Sequence, residues 1–296
     1  MTQARSGSTV PRRQLGRQLR ELRNQARMTA KAAAQAMDFS EAKLFRMEAG
    51  DVPMRSLEVE RMCQIYGAPD DLTQAMAALA RETKSKGWWH SYLDVVSENA
   101  AVYVGLESAA SDLSAYQTDL IDGLFQTEAY ARAVIAASHP EAELLTAERI
   151  DRITEMRLAR RILLTRPTAP LAVRAVLGEA ALRRPIGGRK AMAEQLDHLL
   201  ELSELSNVEI RVVPLEASNH RGVGSGSFSI LCYPSNGSGR LAEPPTVYVE
   251  GFLGMLYLDK PQEIERYEAA WTDIWAAALD VKSSQNFITK IGKELA

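Results

Sequence analysis

The chain has 296 residues, 46% hydrophobic and 25% charged, an ordinary globular balance that excludes intrinsic disorder and leaves room for about two domains. Its two cysteines, Cys63 and Cys232, share no paired-thiol spacing, and no segment nears the roughly 18 apolar residues of a membrane span, so disulfide, zinc and membrane roles are set aside and a cytoplasmic location is expected. The formal charge of −3 hides a basic head: Met1–Arg46 holds ten Lys and Arg against three acids, a net of +7, which leaves −10 for the other 250 residues.

That asymmetry fits a first element facing phosphate with an acidic remainder kept from it, and it fits a solvated basic helix equally well. In chain order, Leu15, Leu19 and Leu22 recur at helical spacing while Arg13, Arg17, Arg20, Arg23 and Arg27 take other faces. This predicts an amphipathic helix over Gln14–Arg27 with an arginine-rich exterior. Thr29 is the cap of a short alanine-rich helix, Ala30–Met37, and Asp38-Phe39 breaks the pattern. Ser40 is the next cap, and Phe39, Leu44 and Met47 supply the apolar positions of a third helix ending near Ala49-Gly50. Leu57, Met62, Ile65 and Tyr66 mark a fourth helix, and Leu72–Ala80 continues as a fifth.

The aromatic cluster Gly87–Tyr92 follows a charged stretch and opens a second domain. There, helical periodicity covers Leu106–Tyr116, Thr127–Ala137, Ala147–Leu164, Arg189–Leu205 and Pro261–Leu279. Strand-like runs cover Leu171–Leu177, Val208–Val213, Ser227–Tyr233, Thr246–Glu250 and Met255–Leu258. Apolar and charged residues alternate from Val208 to Val212, which predicts a sheet with one wet face. The second domain is expected to be α+β, with helices first and most strands late.

Two short helices about a tight turn, the second capped by a hydroxyl residue and led by polar side chains, make the helix-turn-helix pattern. A helix is about as wide as the DNA major groove and carries its early side chains to base edges, so Ser40–Glu48 is the predicted recognition helix. Arg46 is placed to bind guanine through O6 and N7, while Lys43 reads a base or holds phosphate. Glu41 either accepts from cytosine N4 or simply favours the helix dipole. Ala42 projects from the same turns, Thr29 and Arg17 join the DNA-binding set with Arg17 on phosphate, and Phe45 either packs on a thymine methyl or extends the core. The chain is thus expected to be multidomain, with an all-α helix-turn-helix N-terminal domain over 1–84 and an α+β C-terminal regulatory domain over 85–296.

The stretches Leu15–Arg23, Met28-Thr29 and Ser40–Gly50 resemble the Xre/Cro/C1 class of helix-turn-helix domains. Gly87–His90, Tyr116–Arg132, Arg157–Leu164, Gly178–Gly188, Leu205–Val208 and Val247–Gly251 resemble one branch of it, the WhiJ-like, antitoxin-like actinobacterial regulators. The resemblance spans nearly the whole chain. It implies a transcriptional regulator, a homodimer on double-stranded DNA, whose gene often neighbours one for a small partner protein. Ala30 stands where the family often has Gln, and Asp38 where Gly is common in the turn.

No local catalytic motif is visible. Gly222–Ser227 is glycine-rich but lacks the Walker pattern and the nucleophile elbow, and His90, His139, His198 and His220 are dispersed, so no enzyme activity, metal or cofactor is expected. Trp88 and Trp89 either line a ligand pocket or partner groove or pack where domains meet. Tyr116, Gln117, Phe125 and Gln126, in the most distinctive stretch of the second domain, either contact a small-molecule effector or partner protein or form a structural junction. The alternative to a ligand-controlled regulator is an antitoxin-like protein that mainly captures a small neighbour-encoded protein.

Overall fold

The computed structural model describes residues 10–82, 91–92, 95, 98–138, 146–217, 219–234, 243–251 and 254–295, which fall into two compact units. The first gathers α1 (Val10–Gln25), α2 (Ala30–Met37), α3 (Glu41–Glu48), α4 (Ser56–Ile65), α5 (Asp70–Glu82) and α6 (Glu98–Ala109), together with Glu243. Its core joins the leucine stripe of α1, Leu15, Leu19 and Leu22, to Leu44, Met47, Val59 and Met62 from the next helices. Each such side chain, once buried, contributes about 1.5–3 kcal/mol of transfer free energy. The backbones of α1 and α3 meet at Gly16, where an added methyl group would lie 2.4 Å from the carbonyl oxygen of Met47 and 2.7 Å from that of Glu48. Only glycine permits this approach.

The second unit is built on a six-stranded mixed sheet of β1 (Asp112–Gln117), β2 (Ala172–Gly178), β3 (Val208–Val213), β4 (Phe228–Cys232), β5 (Thr246–Gly251) and β6 (Gly254–Leu258), in the order β3-β2-β1-β4-β5-β6. β1, β2 and β3 run parallel, with Ala115 opposite Ala175 and Ala175 opposite Ile210. β4, β5 and β6 follow as antiparallel neighbours, with Leu113 opposite Leu231, Ile230 opposite Val247 and Tyr248 opposite Tyr257. Parallel pairs need long crossovers. These contain α7 (Glu128–Ser138), α8 (Ala147–Ala159) and α9 (Ile162–Thr165) before β2, then α10 (Glu179–Arg183) and α11 (Arg189–Leu202) before β3. A short α12 (Gly222–Ser225) precedes β4, and α13 (Pro261–Ala277) and α14 (Val281–Leu295) close the chain.

The helical N-terminal region and the α+β region that follows are the fold class the sequence predicts, with four local corrections. The run Leu106–Tyr116 is not one helix: α6 ends at Ala109 and β1 begins at Asp112. β1 is central, and its consecutive residues Leu113–Tyr116 are all buried, so neither face shows the alternation of a half-wet strand. Helices therefore do not come first, because β1 precedes the other elements of its unit, although four of the six strands do lie beyond residue 207. Ala147–Leu164 divides at Arg160-Arg161 into α8 and α9. The unanticipated α14 buries Ser284 beside Ile288 and Ile291, and this hydroxyl accepts from the Val212 N–H at 3.0 Å. Among the described residues, no helix is long and apolar enough to cross a membrane.

Candidate nucleic-acid interface

The α2–α3 turn is fixed by local chemistry at both ends. Thr29 accepts a hydrogen bond from the Ala32 N–H at 3.1 Å, capping α2, and Ser40 accepts from the Lys43 N–H at 3.2 Å, capping α3. Between them Asp38 takes the left-handed conformation, φ 59°, which Asp tolerates better than most residues, and the Phe39 N–H reaches back to the Ala34 carbonyl at 2.8 Å. Ser40→Ala should therefore cost about 1 kcal/mol. A thermal unfolding curve unchanged by that substitution would remove Ser40 from the account of α3.

The faces of α3 are sharply divided. Leu44, Met47 and Glu48 point inward, whereas Glu41, Ala42, Phe45 and Arg46 form a continuous outward surface. Phe45 is 52% exposed, so it does not extend the core. Lys43 leaves this surface: its Nζ bonds Glu58 Oε1 at 2.8 Å and stands 3.5 Å from the centre of the Phe39 ring. Burial alone would raise the Glu58 pKa, but bonds from Lys43 and from the Arg55 N–H hold it below the usual carboxylate range. The Lys43 charge is thus turned towards the start of α4, and Arg46 is the cation that α3 itself presents outward.

The arginines of α1 do not form a uniform exterior. Arg23, expected on the outside, is only 7% exposed. Its Nε and Nη2 donate to the two carboxylate oxygens of Glu48 at 2.6 and 2.9 Å, and Nη1 donates to the Met28 carbonyl at 2.9 Å. The signal was present in the spacing, since Arg23 follows Leu19 by four residues on the buried stripe. The Glu48 bond raises the Arg23 pKa, while burial first, and the Glu48 charge second, push the Tyr66 hydroxyl up to about 12. Arg17 donates through Nη2 to Glu243 Oε1 at 3.0 Å, and Arg13 Nε lies 3.7 Å from the same oxygen. No local pattern in the sequence joins residues so distant along the chain.

Trp88 and Trp89 lie outside the described residues. Tyr116 is buried in β1, its ring meeting Phe228 and His220 edge-on. Phe125 is buried too, as is Gln126, whose Nε2 donates to the Ile121 carbonyl at 2.7 Å while its Oε1 accepts from Arg157 Nη1 at 3.1 Å. Arg161 holds the Gln126 carbonyl, and Gln195 accepts from the Thr127 N–H and donates to the Phe125 carbonyl, both at 2.7 Å. Gln117 is half-buried, with its amide on Asp122 at 3.3 Å. Gln126 and the Phe125 carbonyl thus take part in an interior hydrogen-bond network that secures the 121–127 segment, while Tyr116 packs in the apolar core with Phe228, placements that fit the structural-junction alternative for this stretch. Burial and the neighbouring Arg160 both lower the Arg157 pKa.

Two short capped helices about a left-handed turn, the second with a solvent-facing surface, define a helix-turn-helix protein, and residues 14–76 match a helix-turn-helix domain. The chain belongs to the family described as Domain of unknown function (DUF5753), which matches residues 100–290. No curated protein and no solved structure matches the chain.

Proposed function

We propose that this protein is a sequence-specific DNA-binding transcriptional regulator of the Xre/Cro/C1 type, in the WhiJ-like, antitoxin-like branch. Residues 1–84 serve as the DNA-binding domain, and 85–296 as the domain through which a ligand or partner protein controls it; no catalytic reaction is assigned to either. The observation that carries the reading is the outward face of α3, where Glu41, Ala42, Phe45 and Arg46 project from a helix anchored by Leu44 and Met47. Such a face can enter a major groove, with Arg46 on a guanine and Ala42 and Phe45 against thymine methyl groups. A single recognition helix reads only a few base pairs, so a two-fold pair of chains on two half-sites is part of the proposal.

The test is fluorescence anisotropy of the purified protein on its own promoter fragment and on a scrambled duplex of the same length. The expected result is a specific Kd at least about 1000-fold tighter than the non-specific one. Equal affinity for the two duplexes would end the sequence-specific reading. Sedimentation of the protein–DNA complex then reads the stoichiometry, with two chains per site expected.

A further inference from the structure

Arg13 and Arg17 stand on one side of α1, and the acid that meets them comes from the connection between β4 and β5, three residues before Thr246. The Glu243 side chain is only 1% exposed, against 18% for Arg13 and 36% for Arg17, and one of its oxygens serves both guanidiniums, at 3.7 and 3.0 Å. A carboxylate so far removed from water is costly unless cations meet it. The two arginines supply that compensation. The same donors that hold a carboxylate in this way also suit a phosphate oxygen.

We infer that Glu243 occupies an anion site on α1 that a DNA backbone phosphate engages when the carboxylate leaves, so that this chain carries an internal competitor for its own nucleic-acid contact. The inference rests on the DNA-binding reading above. Its consequence is electrostatic: while Glu243 is seated, Arg13 and Arg17 release few counterions on binding DNA; once it is neutralised they become available to one or two phosphates.

The experiment is the salt dependence of affinity for the promoter fragment, measured between 50 and 200 mM salt for the parent chain and for Glu243→Gln. Each phosphate neutralised contributes about 0.9 to the slope of log K against log salt, so the variant should bind more tightly and with a slope steeper by about 1 to 2. Its advantage over the parent then grows about 3- to 12-fold as salt falls across that range. Arg17→Ala should leave the slope of the parent unchanged yet lower that of the Glu243→Gln chain by about 1. Glu243→Asp, which keeps the charge, should restore parental behaviour. A Glu243→Gln chain with parental slope and affinity would overturn the inference. If that variant does not fold, Arg17→Ala in the parent decides: an unchanged slope supports the seated carboxylate, and a loss of about 1 overturns it. A parent chain that binds no DNA at all would instead refute the regulator reading, a different outcome from any of these.

Discussion

Glu48→Ala should lower the stability of the helix-turn-helix unit by about 3–5 kcal/mol, the usual effect of removing one member of a buried ion pair. Glu48 takes both hydrogen bonds of the Arg23 fork, and the exposures of the two side chains are 9% for Arg23 and 3% for Glu48. After its removal the guanidinium keeps only the Met28 carbonyl among these partners and remains a charge withdrawn from water. The damage spreads because the pair joins the C-terminal half of α1 to the end of α3, where the recognition surface begins its path into the core. Thermal unfolding followed by helical circular dichroism should show a fall on the order of 15 °C for this unit. Replacing both partners with apolar residues of similar volume, Arg23→Met with Glu48→Leu, should recover most of the loss, since an apolar pair leaves no stranded charge. A single Glu48→Ala change costing under about 1 kcal/mol would show that solvent reaches Arg23 freely.

Arg46→Ala should abolish discrimination at one base pair while sparing the fold. A bidentate arginine–guanine contact is worth roughly 1–3 kcal/mol of discrimination, or about 5- to 150-fold in relative affinity. Arg46 lies on the exposed face of α3 and takes no part in the core, so its removal acts on recognition and leaves unfolding unchanged. Lys43→Ala is the informative contrast. That lysine is tied to Glu58 and covers Phe39, so its loss should cost at most about 1 kcal/mol of stability and leave base preference intact. Competition binding against duplexes varied one base pair at a time separates the two. If Arg46→Ala weakens all duplexes equally, Arg46 holds phosphate rather than a base.

The sequence made legible whatever depends on neighbours along the chain. Thr29 and Ser40 read as caps because the groups they satisfy lie three residues on, and the leucine stripe of α1 follows from helical spacing. β3 has the predicted bounds because only one of its faces is fully buried, whereas β1, buried through Leu113–Tyr116, gives no alternation and reads as the end of a helix. Pairings across the chain were invisible. Spacing from Leu19 puts Arg23 on the buried stripe, but nothing local names Glu48 as its partner, brings Glu243 to Arg17, or indicates that Lys43 turns away from the outward face of α3 to reach Glu58. The distinctive Tyr116–Gln126 stretch was recognisable as special, but its partners Arg157, Arg161 and Gln195 reside on other elements, so its internal role could not be read from its own letters.

The close backbone approach at Gly16 has a mechanical corollary. At Gly16 no side chain stands between the backbone of α1 and the end of α3, so at that point the two helices meet as one stiff piece with little give. A pull applied to α1 should therefore be felt at the end of α3, and so on the surface that carries Arg46.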